Sequence, residues 1–163
     1  MIQWSYYPRS KRVDWLAFQV VEAFKAEQTS FDSASHALTS NGVLALVRDR
    51  LIALGFDVEC GKRESDKIAV PVLFGRNGKA EKSFFADAYH ANEGFVLEVE
   101  AGRGVVNNQF LKDFFQACMM NEVRHLAIAI RTVYRGNTDF ETVCRFFDTL
   151  YASNRLTIPL RAF

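Results

Sequence analysis

Apolar residues recur at helical spacing in four segments of the chain. Leu16, Val20 and Phe24 show the pattern, which places one apolar face of a helix against a core. The spacing predicts helices over residues 13–27, 41–54, 107–121 and 139–150. Asn41 and Asp139 are the expected N-caps of the second and fourth helices, because their side chains can accept hydrogen bonds from the first turn.

Other segments alternate between apolar and polar residues or are continuously apolar, which is typical of β-strands. These segments are residues 56–60, 68–74, 83–90, 95–101, 125–134 and 157–163. Asn77-Gly78 and Asn92-Glu93-Gly94 supply the turns of two hairpins, and Pro71 places its strand at an edge or a bend. Hairpins followed by a strand–helix–strand crossover predict a mixed α/β domain with antiparallel and parallel strand pairs.

Three acidic side chains lie around the second hairpin. Asp87 belongs to its first strand, and Glu98 and Glu100 belong to its second strand. Because side chains alternate along a strand, the two glutamates share one face. If His90 pairs with Phe95 across the turn, Asp87 lies opposite Glu98, and their Cβ atoms are roughly 4.5–5.5 Å apart.

Three carboxylates among apolar strands predict a bound cation, because burying a carboxylate is unfavourable unless its charge is compensated. Oxygen ligands and water suit Mg²⁺, with Mn²⁺ as a substitute, better than zinc. The expected metal ligands are Asp87, Glu98 and the backbone carbonyl of Val99.

Size and composition restrict the class of protein. The chain has 163 residues, of which 49% are apolar, so a single folded domain is expected. No apolar run approaches the ~20 residues of a membrane helix, and the first residues lack the layout of a signal peptide. Cys60, Cys118 and Cys144 lie in apolar segments, which predicts reduced core residues in a cytoplasmic protein.

The charge pattern leaves the partner open. A net charge of +1 does not by itself indicate nucleic-acid binding. Basic residues nevertheless cluster within residues 62–82, where only three acids interrupt them: Lys62, Arg63, Lys67, Arg76, Lys79 and Lys82. The alternative is that these are solvated residues in turns between strands.

The acids and the order of elements together resemble the PD-(D/E)xK nuclease superfamily, which has the restriction-endonuclease-like fold. The core of that family is a helix, a three-strand meander, a crossover helix and a further strand, with one acid on the second meander strand. Asp87 matches this acid, although Ala86 precedes it where the family usually has proline. Glu98 matches the acid of the (D/E)-x-K pair, and Glu100 replaces its lysine. This E-x-E variant is similar to the BamHI type of restriction enzyme.

The resemblance implies a single restriction-endonuclease-like domain over residues 1–163, with a mixed central sheet flanked by helices. Residues 1–40 would form an N-terminal helix and loop, and residues 41–163 the catalytic core. It also implies Mg²⁺-dependent hydrolysis of phosphodiester bonds in double-stranded DNA by a homodimer. Asp87, Glu98 and Glu100 would be the catalytic residues, with Glu100 as general base or as a ligand of a second ion.

The sequence leaves open the roles of two further residues, and it allows two alternative functions. Lys112 is a candidate replacement for the missing lysine, and Glu59 is a candidate further carboxylate, but either could be an ordinary solvent-facing residue. The missing lysine and the near-neutral charge favour an inactive nuclease-fold module that binds nucleic acid or a protein partner. Alternatively, the acids form the polar face of a hairpin in a domain with an unrelated function.

Overall fold

A computed structural model of the chain describes residues 1–31, 38–102, 104–134 and 136–163. Within these ranges the helices are α1 Trp15–Ala26, α2 Gln28–Phe31, α3 Ser40–Ala53, α4 Gln109–Met119 and α5 Asp139–Ser153. The strands are β1 Asp57–Val58, β2 Ile68–Phe74, β3 Ala80–Ala86, β4 Ala88–His90, β5 Phe95–Glu100, β6 His125–Ile130 and β7 Arg161–Ala162. No helix in the described ranges is long and apolar enough to cross a membrane.

A five-stranded mixed sheet forms the centre of the fold, with the strand order β1-β4-β5-β6-β7. The β1–β4 and β4–β5 pairs are antiparallel, whereas β5–β6 and β6–β7 are parallel. Helix α4 makes the crossover between β5 and β6. The predicted mixed α/β fold, with both kinds of strand pair, is therefore confirmed.

Strands β2 and β3 form a separate two-stranded antiparallel ribbon. The prediction of one continuous strand over residues 83–90 is wrong. The chain forms β3 up to Ala86, is interrupted at Asp87 and continues as β4 in the central sheet. The register of β2 shifts just after Pro71, where a bend was predicted. At the ribbon turn, Asn77 (φ 59°) and Gly78 (φ 70°) adopt the left-handed conformation that such turns favour.

The central sheet separates two apolar cores. Phe95, Leu97 and Val99 of β5 pack on one face against α1 and α3. Val96 points to the other face and packs with Phe114 of α4 and other apolar residues of α4 and α5. Since side chains alternate along a strand, Glu98 and Glu100 lie on this second face, on the same side as α4.

The first residues of two helices differ from the prediction. Thr39 Oγ1 accepts a hydrogen bond from the Gly42 N–H at 3.2 Å, so Thr39 rather than Asn41 is the N-cap of α3. Thr138 precedes α5, and Asp139 is already helical. Several hydrogen-bonding residues stand near each helix start, and apolar spacing does not distinguish among them.

The three cysteines are free thiols in different surroundings. Cys144 is buried, Cys118 is partly buried and Cys60 is exposed. The prediction of a core position is wrong for Cys60, because the pairing with β4 ends at Glu59 and the Cys60 N–H already bonds to the carbonyl of Asp66 outside the sheet.

Candidate functional site

The hairpin of β4 and β5 has the predicted register. His90 pairs with Phe95 and Ala88 pairs with Leu97, so the next position on each strand brings Asp87 opposite Glu98. Asp87 Oδ2 accepts a hydrogen bond from the backbone N–H of Val99 at 2.7 Å. The carboxyl of Asp87 is thereby held against the strand that carries both glutamates.

The chain around Asp87 also brings Glu59 to the site. The Asp87 carbonyl accepts a hydrogen bond from the backbone N–H of Glu59 at 2.8 Å, which continues the β1–β4 pairing by one residue. The negative charge of Glu59 contributes to raising the pKa of Asp87. Glu59 therefore lies beside Asp87, one residue beyond the end of β1.

Helix α4 supplies a further carboxyl that the sequence analysis missed. Asp113 is only 5% exposed, and its Oδ1 accepts a hydrogen bond from Gln109 Nε2 at 3.1 Å. Its Oδ2 is fully buried, and no N–H or O–H donor in the described part of the chain is bonded to it. The carboxyls of Asp113 and Glu100 are within hydrogen-bonding reach of each other, a contact that needs a proton on one of them.

A signal for Asp113 was present in the helical spacing. Phe110, Phe114 and Ala117 are the other buried residues of α4. Asp113 lies three positions after Phe110 and four positions before Ala117, so it belongs to the same buried stripe of the helix. An acid on the buried stripe of a helix is unusual and identifies a candidate functional residue.

The crowded carboxyls hold their protons more tightly than usual. Burial raises the pKa of Asp87 to about 6, although the hydrogen bond from the Val99 N–H opposes this effect. Burial also raises the pKa of Glu100 to about 7, and the negative charges of Asp113 and Asp87 add to it. The pKa of Glu98 lies well above its ordinary value, first because of burial and then because of the charge of Asp87.

Two lysines partly offset this negative charge. Lys112 is exposed on α4, and its charge lowers the pKa values of Glu98, Glu100 and Asp113. Lys67, which is partly buried just before β2, lowers the pKa of Asp87. Lys112 is thus both solvent-exposed and within electrostatic range of the acids.

The chemistry of the donor atoms fits a hard divalent cation, which prefers carboxylate and carbonyl oxygens. As the side chains stand, however, no group of three or more His, Cys, Asp or Glu residues in the described ranges could hold a metal ion. One oxygen of Asp87 is bonded to the Val99 N–H, and one oxygen of Asp113 is bonded to Gln109. As the side chains stand, a cation at this cluster would be held by fewer than three of these carboxyls, with backbone carbonyls and water as its other ligands.

His90 and His125, the two histidines within the described ranges, take no part in the acid cluster. The ring of His90 packs edge-on against Phe56, with ring centroids 5.3 Å apart. The ring of His125 stacks on Phe95 at 5.6 Å. Both phenylalanines belong to the core on the α1 and α3 side of the sheet. The third histidine, at position 36, lies outside the described residues.

Comparison with known proteins found no matching family model, no matching curated protein and no matching solved structure. The resemblance to a nuclease superfamily consequently depends on the acids and on the order of the elements that carry them. Function has to be argued from the chemistry of the acid cluster and of its surroundings.

Proposed function

We propose that the chain is a Mg²⁺-dependent nuclease with a restriction-endonuclease-like fold, in which Asp87, Glu98 and Glu100 are the catalytic residues. The observation that carries this proposal is the cluster of these acids with Asp113. Burial raises the pKa of all four carboxyls, and the charges of neighbouring acids raise the pKa values of Asp87, Glu98 and Glu100 further. Such a cluster is unfavourable for folding, and strongly perturbed carboxyls concentrate at functional sites.

The arrangement of the elements supports the proposed fold. Helix α3 precedes β1, and β1, β4 and β5 lie side by side in antiparallel order. Helix α4 then crosses to β6, which is parallel to β5. This is the order of the superfamily core, with the β2–β3 ribbon inserted between its first two strands. Asp87 immediately precedes the second of these core strands, and Glu98 lies on the third.

The catalytic roles follow from the surroundings of each acid. Asp87, Glu98 and the carbonyl of Val99 would hold the ion, which when bound would neutralise charge on the phosphate and acidify a water. The Val99 N–H orients Asp87 at 2.7 Å. Glu100, with a pKa of about 7, is suited to accept a proton from the attacking water near neutral pH.

The substrate and the assembly are proposed from the resemblance. Restriction-type enzymes commonly act on double-stranded DNA as homodimers, so both are proposed for this chain. Lys112 and Lys67 lie at the acid cluster, where each provides a positive charge for a phosphate.

An inactive nuclease-fold module that binds nucleic acid or a protein partner is the second candidate. Glu100 favours it, because a carboxylate there adds negative charge where the family usually has a lysine. The two candidates differ in one measurable respect, since only the enzyme cleaves DNA when a divalent metal is present.

Nicking of supercoiled plasmid DNA, with Mg²⁺, Mn²⁺ or EDTA, separates the candidates. Asp87→Asn and Glu98→Gln should each lower the metal-dependent rate by about 100-fold or more. The matched control is Asp49→Asn, an exposed acid on α3, which should cleave like the wild type. If the wild type cleaves neither the plasmid nor a single-stranded oligonucleotide with either metal, the enzyme is excluded and the binding module is favoured.

A further inference from the structure

We propose that the outer face of the β2–β3 ribbon binds a single-stranded segment of nucleic acid, with one base stacked on Phe85 and a neighbouring phosphate on Lys67. This inference rests on the proposed function and narrows its substrate to DNA with an unpaired strand at the acid cluster. The outer face is defined by Lys67, Ala69, Pro71, Ser83 and Phe85.

The strand register separates the two faces of the ribbon. Ile68 pairs with Ala86, and Val70 pairs with Phe84. Val70 and Ala86 are buried in the core beside α4, and Phe84 packs against it. The alternate positions, which are those of the outer face, therefore point away from the core.

The outer face runs directly into the acid cluster. Extending the register by one residue beyond the Ile68–Ala86 pair brings Lys67 opposite Asp87, and the charge of Lys67 lowers the pKa of Asp87. Phe85 is two positions before Asp87, which is ~7 Å along an extended strand. A base stacked on Phe85 therefore belongs to a nucleotide close to the one at the acids.

The chemistry of Phe85 and Lys67 favours an unpaired nucleotide. The Phe85 side chain is 41% exposed, and Lys67 Nζ lies 5.2 Å from the centre of its ring. An exposed ring can stack on the face of a base, and the adjacent ammonium can contact the phosphate. In a duplex, neighbouring base pairs cover the faces of each base, so this contact selects a single strand.

The far end of the ribbon has the charge that such a strand requires. Arg76 and Lys79 are exposed beside the ribbon turn, together with the acid Glu81. Lys82 belongs to the opposite face, because its Nζ lies 5.5 Å from the centre of the Phe84 ring. Positive charge therefore stands at both ends of the ribbon, at Lys67 and beside the turn. Basic side chains beside an aromatic ring are the usual combination in surfaces that bind single strands without sequence preference.

Fluorescence anisotropy in EDTA at low salt tests the proposal without cleavage, using a labelled single-stranded oligonucleotide and the duplex of the same sequence. The wild type should bind the single strand more tightly, and Phe85→Ala should weaken that binding by about 10-fold. Phe85→Trp, which keeps a stacking surface, should bind within about twofold of the wild type.

Phe18→Ala is the matched control. Phe18 is 40% exposed, and Lys25 Nζ lies 6.0 Å from its ring centre, but it lies on α1, away from the acids. Equal effects of Phe18→Ala and Phe85→Ala, or equal affinity of the wild type for duplex and single strand, would overturn the inference.

The two proposals can fail separately. Loss of single-strand binding in Phe85→Ala by a protein that never nicks DNA supports the ribbon surface and contradicts the enzyme. Metal-dependent nicking with undiminished single-strand binding by Phe85→Ala overturns the ribbon surface and leaves the enzyme standing. Thermal unfolding of each variant verifies that it is folded, and rescue by Phe85→Trp distinguishes lost stacking from local damage to the ribbon.

Discussion

Replacing Asp87 by asparagine should stabilise the metal-free protein at neutral and alkaline pH, although it removes a proposed catalytic group. Asparagine keeps the side-chain oxygen that accepts the Val99 N–H at 2.7 Å, and it removes the charge. Burial raises the pKa of Asp87 from 3.8 to about 6. Since each tenfold change in proton affinity is worth ~1.4 kcal/mol, ionised Asp87 costs at most ~3 kcal/mol of folding free energy.

The direction of the pH dependence follows from proton linkage. Because the folded protein binds this proton more tightly than the unfolded chain, the stabilisation by neutral Asp87 is complete below pH 3.8 and is lost as the pH rises to about 6. Glu100, with a pKa of about 7, extends the decline of stability toward neutral pH. Asp87→Asn should remove the Asp87 part of this decline.

Thermal unfolding in EDTA at several pH values measures the effect. At pH ~8 the midpoint of Asp87→Asn should exceed that of the wild type by about 3–10 °C, because 1 kcal/mol is worth ~2–4 °C in a domain of this size. At pH ~4 the two midpoints should nearly coincide. The control Asp49→Asn, at an exposed position on α3, should not change the midpoint at either pH. If Asp87→Asn is no more stable than the wild type at pH ~8, the claim that burial destabilises the ionised form of Asp87 is wrong.

Four further measurements follow from the structure. Titration calorimetry should detect Mg²⁺ or Mn²⁺ binding to the wild type and its loss in Glu98→Gln, and unchanged heats would contradict the ligand role. Lys112→Gln should raise the pKa of Glu100 and move the acid limb of the cleavage-rate profile to higher pH, whereas an unmoved limb would exclude this coupling. Phe114 is only 1% exposed, so Phe114→Ala should lower the free energy of unfolding, measured in urea, by ~3–5 kcal/mol. A loss below ~1 kcal/mol would contradict the core position of Phe114. Thr39→Ala should cost ~1 kcal/mol in the same assay, through loss of the α3 cap, and no loss would reject that cap.

The hairpin that carries the acids could be predicted closely from the sequence. In β5, apolar residues alternate with Glu98 and Glu100, and the turn signal before Phe95 sets which residues pair across the hairpin. A slip of one residue would turn both glutamates toward the core of α1 and α3, so the pattern permits a single register. The helix between β5 and β6 likewise predicted that these two strands are parallel, because parallel neighbours need a crossover connection.

The hairpin of β2 and β3 was predicted from its turn, but its separation from the central sheet and the break at Asp87 could not be predicted in this way. Residues 83–90 have the composition of one continuous strand, and nothing local marks Asp87 as the point where the chain leaves one sheet and enters another. The division arises because β3 pairs with β2, whereas β4 pairs with β1 and β5. Of these partners only β1 is distant in sequence, and a window of neighbouring residues contains no information about its pairing with β4.

The sequence by itself determined that Glu98 and Glu100 share one face of a strand, with Asp87 across the hairpin, because alternation and turn chemistry are local properties. Only the tertiary structure decided what surrounds these acids. Packing of α4 on the same side of the sheet brings Asp113 to Glu100, buries the first and partly buries the second, although thirteen positions separate them in sequence. Burial and the approach of like charges set the proton affinity of a carboxyl, and both depend on contacts between distant parts of the chain.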